Sequence, residues 1–252
     1  MNPTTASRYA GLSGRLVIVT GGASGIGESF VREFAGQGAR VAFLDKQAEV
    51  GQALAAELGA TFRACDLTDT AALRAALAGI RSECGPASVL VNNAAVDQRQ
   101  DFFAVTEDSF DFMMAVNFRH VFFACQAVAP QMRELGGGSI VNMSSIAWMN
   151  GAPDMQAYAA GKAAIVGFTN SLARQLGPDR IRVNAIAPGM VITQRQRELW
   201  YQDESKIEAG RERQCIPDAI EPEEIARLGL FLASDDSRLI TKQCFMVSGG
   251  SR

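Results

Sequence analysis

Histidine is almost missing from this 252-residue chain: His120 is the only one. An imidazole-built zinc site or a serine hydrolase triad needs that residue in a defined role, so a single copy leaves both chemistries unsupported. His120 itself reads as a surface or helix-packing residue. Cysteine is sparse too. Cys65, Cys84, Cys125, Cys215 and Cys244 form an odd, scattered set without a C-x-x-C pair. That pattern suggests neither a disulfide framework nor a thiolate metal site, and reads as reduced, mostly buried thiols and no metal. No Lys/Arg run builds a basic field, and the formal net charge is -3, so nucleic acid is not an expected partner. No apolar run approaches the ~20 residues of a membrane helix, and the start has no apolar stretch followed by a small-residue cleavage site. A soluble cytoplasmic protein without a membrane partner is expected.

Hydrophobic residues make up 48% of the chain and charged ones 20%, enough to bury one large core. Runs rich in valine, isoleucine or phenylalanine recur at 16–20, 40–45, 61–65, 88–92, 139–144, 180–187 and 244–247. Between them, helical periodicity covers 25–37, 47–58, 69–83, 107–133, 155–176 and 221–233. Strands buried on both faces and alternating with such helices imply a doubly wound, Rossmann-type α/β domain, with a parallel sheet covered by helices on both sides. No linker interrupts it, so one domain is expected over 1–252, with an N-terminal tail at 1–14. The polar stretch 193–217 breaks the rhythm at the carboxyl end of the sixth strand. It reads as a substrate loop, or alternatively as a solvated helix pair with no role.

Directly after the first strand comes Thr-Gly-x-x-x-Gly-x-Gly at residues 20–27. Gly21 permits a tight turn, Gly25 lets the backbone approach a pyrophosphate, and Gly27 lets the helix pack closely on the sheet. Asp45 ends the second strand, about twenty residues on, where an acid accepts hydrogen bonds from an adenosine ribose and repels a 2′-phosphate. Ser24 is not basic, whereas Lys46 softens the preference; NAD is therefore expected, with NADP weaker. Asp66 reads equally as an adenine contact or as the cap of the helix starting near Thr68. Asn92 and Asn93, followed by Ala94 and Ala95, end the fourth strand beside the expected switch point of the sheet.

Tyr158 and Lys162 stand four apart on one helical face. A phenol with pKa about 10 acts as a base only if helped. An ammonium ~4 Å away at an effective dielectric of ~20 supplies about 4 kcal/mol, roughly three pK units. Ser145 lies just upstream, where its hydroxyl could meet a reacting oxygen. Asn117 sits mid-helix, where asparagine is a poor helix former and calls for a reason.

With these motifs in order, the chain resembles the short-chain dehydrogenase/reductase family over nearly its full length, Ser145 standing thirteen residues before Tyr158. The resemblance implies seven parallel strands and a homotetramer built through two long helices. It makes Tyr158 the acid/base, Ser145 the group polarising the substrate oxygen, Lys162 a ligand of the nicotinamide ribose, and Asn117 the residue placing a relay water. Cofactor contacts are implied for Gly21, Ser24, Gly25, Ile26, Gly27, Asp45, Lys46, Asp66, Leu67, Asn93, Ala94, Tyr158, Lys162, Pro188, Gly189, Val191 and Thr193. Ala95, where glycine is frequent, and the carboxyl-terminal Thr241-Lys242-Gln243 depart from the family's pattern without touching the reacting atoms.

Local strings around Asp97, Cys125, Ser145, Arg195 and Trp200 are similar to those of bacterial aldose dehydrogenases, which oxidise a sugar at its anomeric carbon to a lactone. That resemblance implies a small-molecule sugar substrate. Asp97, Arg99, Gln156 and Arg195 offer donors and acceptors for it, Trp148 or Trp200 a flat apolar face, and Ser145 and Tyr158 the reacting end. The alternatives are reduction of a 3-oxoacyl thioester or small ketone by the same residues, and a non-catalytic dinucleotide-binding scaffold.

Overall fold

Alternation within the strands divides the core in two. A computed structural model describes residues 7–251; residues 1–6, the start of the expected tail, and residue 252 lie outside it. In β1 (Leu16–Thr20), Val17 and Val19 point into one apolar cluster, while Leu16 and Ile18 point into the other. Helices α1 (Gly25–Gly36) and α10 (Pro222–Ala233) cover the first face through Phe30, Phe34, Ile225 and Leu230. Helices α3 (Thr70–Cys84), α5 (His120–Glu134) and α7 (Gln156–Leu176) cover the second through Leu73, Leu77, Val128 and Ile165.

The remaining strands are β2 (Arg40–Asp45), β3 (Thr61–Ala64), β4 (Val89–Asn92), β5 (Gly138–Met143), β6 (Ile181–Pro188) and β7 (Cys244–Val247). All seven pair in parallel in the order β3-β2-β1-β4-β5-β6-β7. The chain reverses its direction of travel between β1 and β4, which opens a crevice at the carboxyl ends of the strands. Helix α2 (Ala48–Leu58) follows β2 and stops at Gly59, whose φ of 65° is the left-handed turn expected after a helix.

Two expectations need correction. Part of the expected tail is packed: Ala10–Leu12 forms a short 3-10 turn that buries Leu12 completely. The single helix expected over 107–133 is α4 (Glu107–Met114), a π-turn at Ala115–Arg119, and then α5. The 28-residue run Glu107–Glu134, with mean hydropathy 1.3, is long and apolar enough by composition to cross a membrane. Sequence reading missed it because polar residues interrupt it; in the fold, Val121, Ala124, Val128 and Met132 are buried in the core cluster beside the sheet.

Candidate active site

The glycine turn leaves no room for side chains. A Cβ on Gly21 would stand 2.7 Å from the Ala94 Cα, and one on Gly27 only 1.8 Å from the Gly21 carbonyl oxygen. Gly21 and Gly25 also have φ of +67° and +56°, which L side chains rarely adopt. Thr20 and Asn93 fasten this turn to the end of β4. The Thr20 Oγ1 accepts the Asn93 and Ala94 amides, and Asn93 Nδ2 donates to the carbonyls of Thr20 and Gly21. Ser24 caps α1 without a side-chain bond, so the N–H groups of the first turn face the crevice with the helix dipole behind them. Gly25, half-buried Ile26 and Gly27 form that turn. These features fit the pyrophosphate of a dinucleotide.

Asp45 is buried at the end of β2. Its Oδ2 accepts the Ala23 amide at 3.1 Å, and its Oδ1 accepts the Gln47 amide at 3.0 Å. A carboxylate offers about four lone-pair sites, which leaves capacity for ribose hydroxyls. Gln47 also donates to Ser24 Oγ at 3.2 Å, a link that sequence reading missed. Lys46 is exposed, and its charge helps hold the Asp66 carboxyl below the ordinary range, after the larger effect of hydrogen bonds from Thr68. The capping alternative for Asp66 is not what forms: Asp69 caps α3, accepting the Ala71 and Ala72 amides, while Asp66 turns back to Thr68 and Leu67 is buried.

Across the crevice, Tyr158 and Lys162 rise from the first turns of α7. The Lys162 ammonium donates to the Met143 carbonyl at 2.8 Å and lies 5.6 Å from the centre of the Tyr158 ring. Burial lowers Lys162 to about 7, partly offset by the Asp97 charge. Tyr158 is pushed up to about 12 by burial; a hydrogen bond with Ser145 pulls it down, and Asp97 adds to the rise. The ammonium expected to assist the phenol is thus anchored to β5 through the Met143 carbonyl. Ser145 Oγ also accepts the Ala147 amide at 3.1 Å.

Asn117 is fully buried inside the π-turn. Its Nδ2 donates to the carbonyls of Val96 and Met113, and its Oδ1 accepts the Val96 amide, all at 3.0 Å. Its mid-helix position has this reason: the carboxamide clamps the loop that follows β4. His120, expected on the surface or in helix packing, is 1% exposed and lies near enough to Lys162 to feel its charge.

The insertion after β6 forms helices α8 (Gln194–Leu199) and α9 (Glu204–Arg211). It begins where the Gly189 amide bonds the Val247 carbonyl just beyond Pro188, and where Val191 bridges to Ile220. Thr193 caps α8 and lies over the glycine turn, its methyl 3.2 Å from where a Cβ on Gly25 would be. The helix pair is not merely solvated. Gln196 Nε2 donates to Asp97 Oδ2 at 2.7 Å, Arg195 Nε lies 4.0 Å from Asp97 Oδ1, and the Arg99 guanidinium covers the Trp200 ring at 4.7 Å. Gln100 ties the same loop to the Asp154 carbonyl ahead of α7. Asp97, Arg99, Arg195 and Trp200 thus come together, with Gln196, to which sequence reasoning gave no substrate contact, as a further member. Trp148 and Gln156 stand at the exposed rim.

A sequence model of the family described as "Enoyl-(Acyl carrier protein) reductase" matches residues 21–252. The protein of Rhizobium meliloti (strain 1021) named "Probable galactose dehydrogenase GalD" is 49% identical over 251 residues, covering 97% of this chain and 98% of that one. A D-xylose 1-dehydrogenase of Caulobacter vibrioides is 44% identical with the same coverage. Among solved structures, the ligand-free aldohexose dehydrogenase of Thermoplasma acidophilum is similar with a TM-score of 0.89 at 29% identity, over 96% of this chain and 95% of that one. Together with the glycine cradle, the parallel sheet and the Tyr158/Lys162 pair, these matches establish that the chain belongs to the short-chain dehydrogenase/reductase family, as an oxidoreductase that binds NAD(P) and acts on a small molecule.

Proposed function

We propose that the protein oxidises a free aldose at its anomeric carbon with NAD, giving an aldonolactone. The observation carrying this reading is the polar cluster of Asp97, Gln196, Arg195 and Arg99 against Trp200, set beside Tyr158, Lys162 and Ser145. An acceptor, an amide, guanidinium donors and an aromatic face are what a polyhydroxylated ring requires. The relatives named for galactose, xylose and aldohexose support it.

Ser145 holds the sugar's anomeric hydroxyl against Tyr158, which takes its proton as general base. Bound NAD supplies the hydride acceptor. Lys162 steadies the ribose next to the phenol, and Asn117 fixes the loop that presents Asp97. Gly21, Ser24, Gly25, Ile26, Gly27, Asn93 and Ala94 hold the pyrophosphate side, and Asp66 and Leu67 the adenine side. Pro188, Gly189, Val191 and Thr193 hold the nicotinamide side. Asp45 favours NAD over NADP by repelling a 2′-phosphate, with the basic Lys46 next to it in the sequence. Segment 193–217 acts as the substrate loop, with Trp148 and Gln156 at its rim, in a single domain spanning the chain.

The assembly we propose is a homotetramer. Phe110, Phe112 and Phe122 are more than 40% exposed, and Phe122 packs at a tilt on Phe168 across α5 and α7, beside the unobstructed Gly167. The five thiols, unpaired among the described residues, suit a reducing cytoplasm.

The test is initial-rate NADH formation on D-galactose, L-arabinose, D-xylose, L-fucose, D-glucose and simple secondary alcohols, with NADP in parallel. Turnover of free aldoses with NAD is expected. Silence on every sugar, with NADPH-dependent reduction of ketones or 3-oxoacyl thioesters, overturns the substrate and leaves the family intact.

A further inference from the structure

Ser144 stands directly before Ser145 and takes no part in the chemistry described above. It is 3% exposed at the end of β5, and a hydroxyl buried there destabilises the fold unless it finds a partner. Its partner lies on α7. Ser144 Oγ donates to the main-chain carbonyl of Lys162 at 2.8 Å, while the Lys162 ammonium donates to the Met143 carbonyl at 2.8 Å. Two bonds of opposite direction therefore join residues 143 and 144 to one lysine, the first at its backbone and the second at the tip of its side chain.

The strand end is itself held from the other side. The Ser144 amide donates to the Ile186 carbonyl at 2.7 Å, and the Ile146 amide donates to the Pro188 carbonyl at 3.1 Å, so β6 fixes the backbone before and after Ser145. Lys162 carries its charge on a flexible four-carbon stem, and the place its tip reaches depends on where the stem begins. A carbonyl has two lone pairs, so that of Lys162 can accept Ser144 without leaving the helical ladder. Tyr158 stands one turn back on the same face. Whatever holds the Lys162 backbone against β5 thus also sets the distance from the phenol to Ser145. A second bond between β5 and α7 lies two turns further on, where Asn142 Nδ2 donates to Thr169 Oγ1 at 3.0 Å.

We propose that Ser144 is a positioning residue whose hydroxyl, by holding the Lys162 carbonyl, keeps Tyr158 and Lys162 in register with Ser145. It acts through α7 and not on the reacting atoms. The inference rests on Tyr158, Lys162 and Ser145 being the reacting group, and is independent of which compound is turned over.

The test compares Ser144→Ala with Thr169→Val, each of which removes one bond between β5 and α7. Kinetics are measured on whichever compound of the substrate panel the wild type turns over fastest. Misplacement by ~1 Å can slow a reaction about 10²-fold, and the loss of one tie out of two at the lysine is expected to lower kcat roughly tenfold in Ser144→Ala, with KM and the NAD Kd little changed. Ser144→Thr, which keeps the hydroxyl, is expected to recover most of kcat. Thr169→Val leaves Asn142 Nδ2 without its acceptor and is expected to lower the melting temperature by at least about 2 °C while kcat stays at the wild-type value. Thermal melts establish that each variant is folded, and Ser144→Gly replaces the alanine variant if that one does not fold. An unchanged kcat in the folded alanine or glycine variant overturns the proposal. So does an equal loss of kcat in Thr169→Val, which would make the general docking of α7 responsible. Silence on every sugar with turnover of a ketone defeats the aldose reading and leaves this comparison standing.

Discussion

Replacing Asn117 by alanine tests whether the π-turn exists to hold the loop after β4. Three hydrogen bonds disappear, two to the Val96 backbone and one to the Met113 carbonyl, each 3.0 Å long. At about 1 kcal/mol for each bond, and more for any group left buried and unpaired, the loss is roughly 3 kcal/mol or above. For a chain of this length each kcal/mol moves the melting temperature by about 2–4 °C, so a fall of roughly 6–12 °C is expected. Val96 directly precedes Asp97, so the loosened loop should also release the Asp97–Gln196 contact and raise the substrate KM more than the cofactor Kd. Asn117→Asp should be worse than alanine at neutral pH, because it sets a carboxylate against two carbonyl oxygens. Calorimetric melts and steady-state kinetics of both variants provide the assay. A melting temperature for Asn117→Ala within about 2 °C of wild type, with KM unchanged, would refute the clamp.

The remaining expectations concern chemistry and pH. Tyr158→Phe should lose about 10²–10⁴ in kcat while NAD affinity by calorimetric titration is retained; near-normal turnover would show that another group takes the proton. Asp45→Ala should move the NAD:NADP ratio of kcat/KM toward NADP and also weaken NAD, since the Ala23 amide loses its acceptor; an unchanged ratio removes Asp45 from the ribose. His120 is depressed from 6.5 to about 3 in the fold, so between these values the unfolded chain binds more protons. Its contribution to stability is complete above about 6.5 and is lost as pH falls toward 3, with a slope approaching ~1.4 kcal/mol per pH unit. Between pH 7 and 5 the urea midpoint of the wild type should fall relative to that of His120→Leu, and parallel curves would contradict a buried neutral imidazole.

Much of the architecture was legible because it depends on local pattern. The strands 16–20, 40–45 and 244–247 end where largely apolar runs meet glycine or a polar residue, and the structure has the same limits there. The glycine turn was readable for a similar reason, since nothing larger fits beside Ala94 and the Gly21 carbonyl. What sequence did not show are relations between distant segments. Periodicity carries smoothly through 107–133, and the π-turn arises from Asn117 reaching Val96, twenty-one residues back. Asp66 and Asp69 both suit a helix start, and only the path of the backbone selects Asp69. Gln196 looked like one polar residue among many in 193–217 until the loop carrying Asp97 came within 2.7 Å of it. The position of the lysine followed from spacing, but its bond to β5 did not.

Thr193 sits at once at the root of α8 and over the Gly25 turn. A dinucleotide seated on the turn has to leave past the same short connector from which α8 springs. Binding should therefore be ordered, with the nucleotide entering first and leaving last. A sugar engaging Asp97 and Gln196 would pin that connector and prolong nucleotide residence, so that turnover at saturation is set by the escape of the reduced nucleotide and excess sugar slows the enzyme.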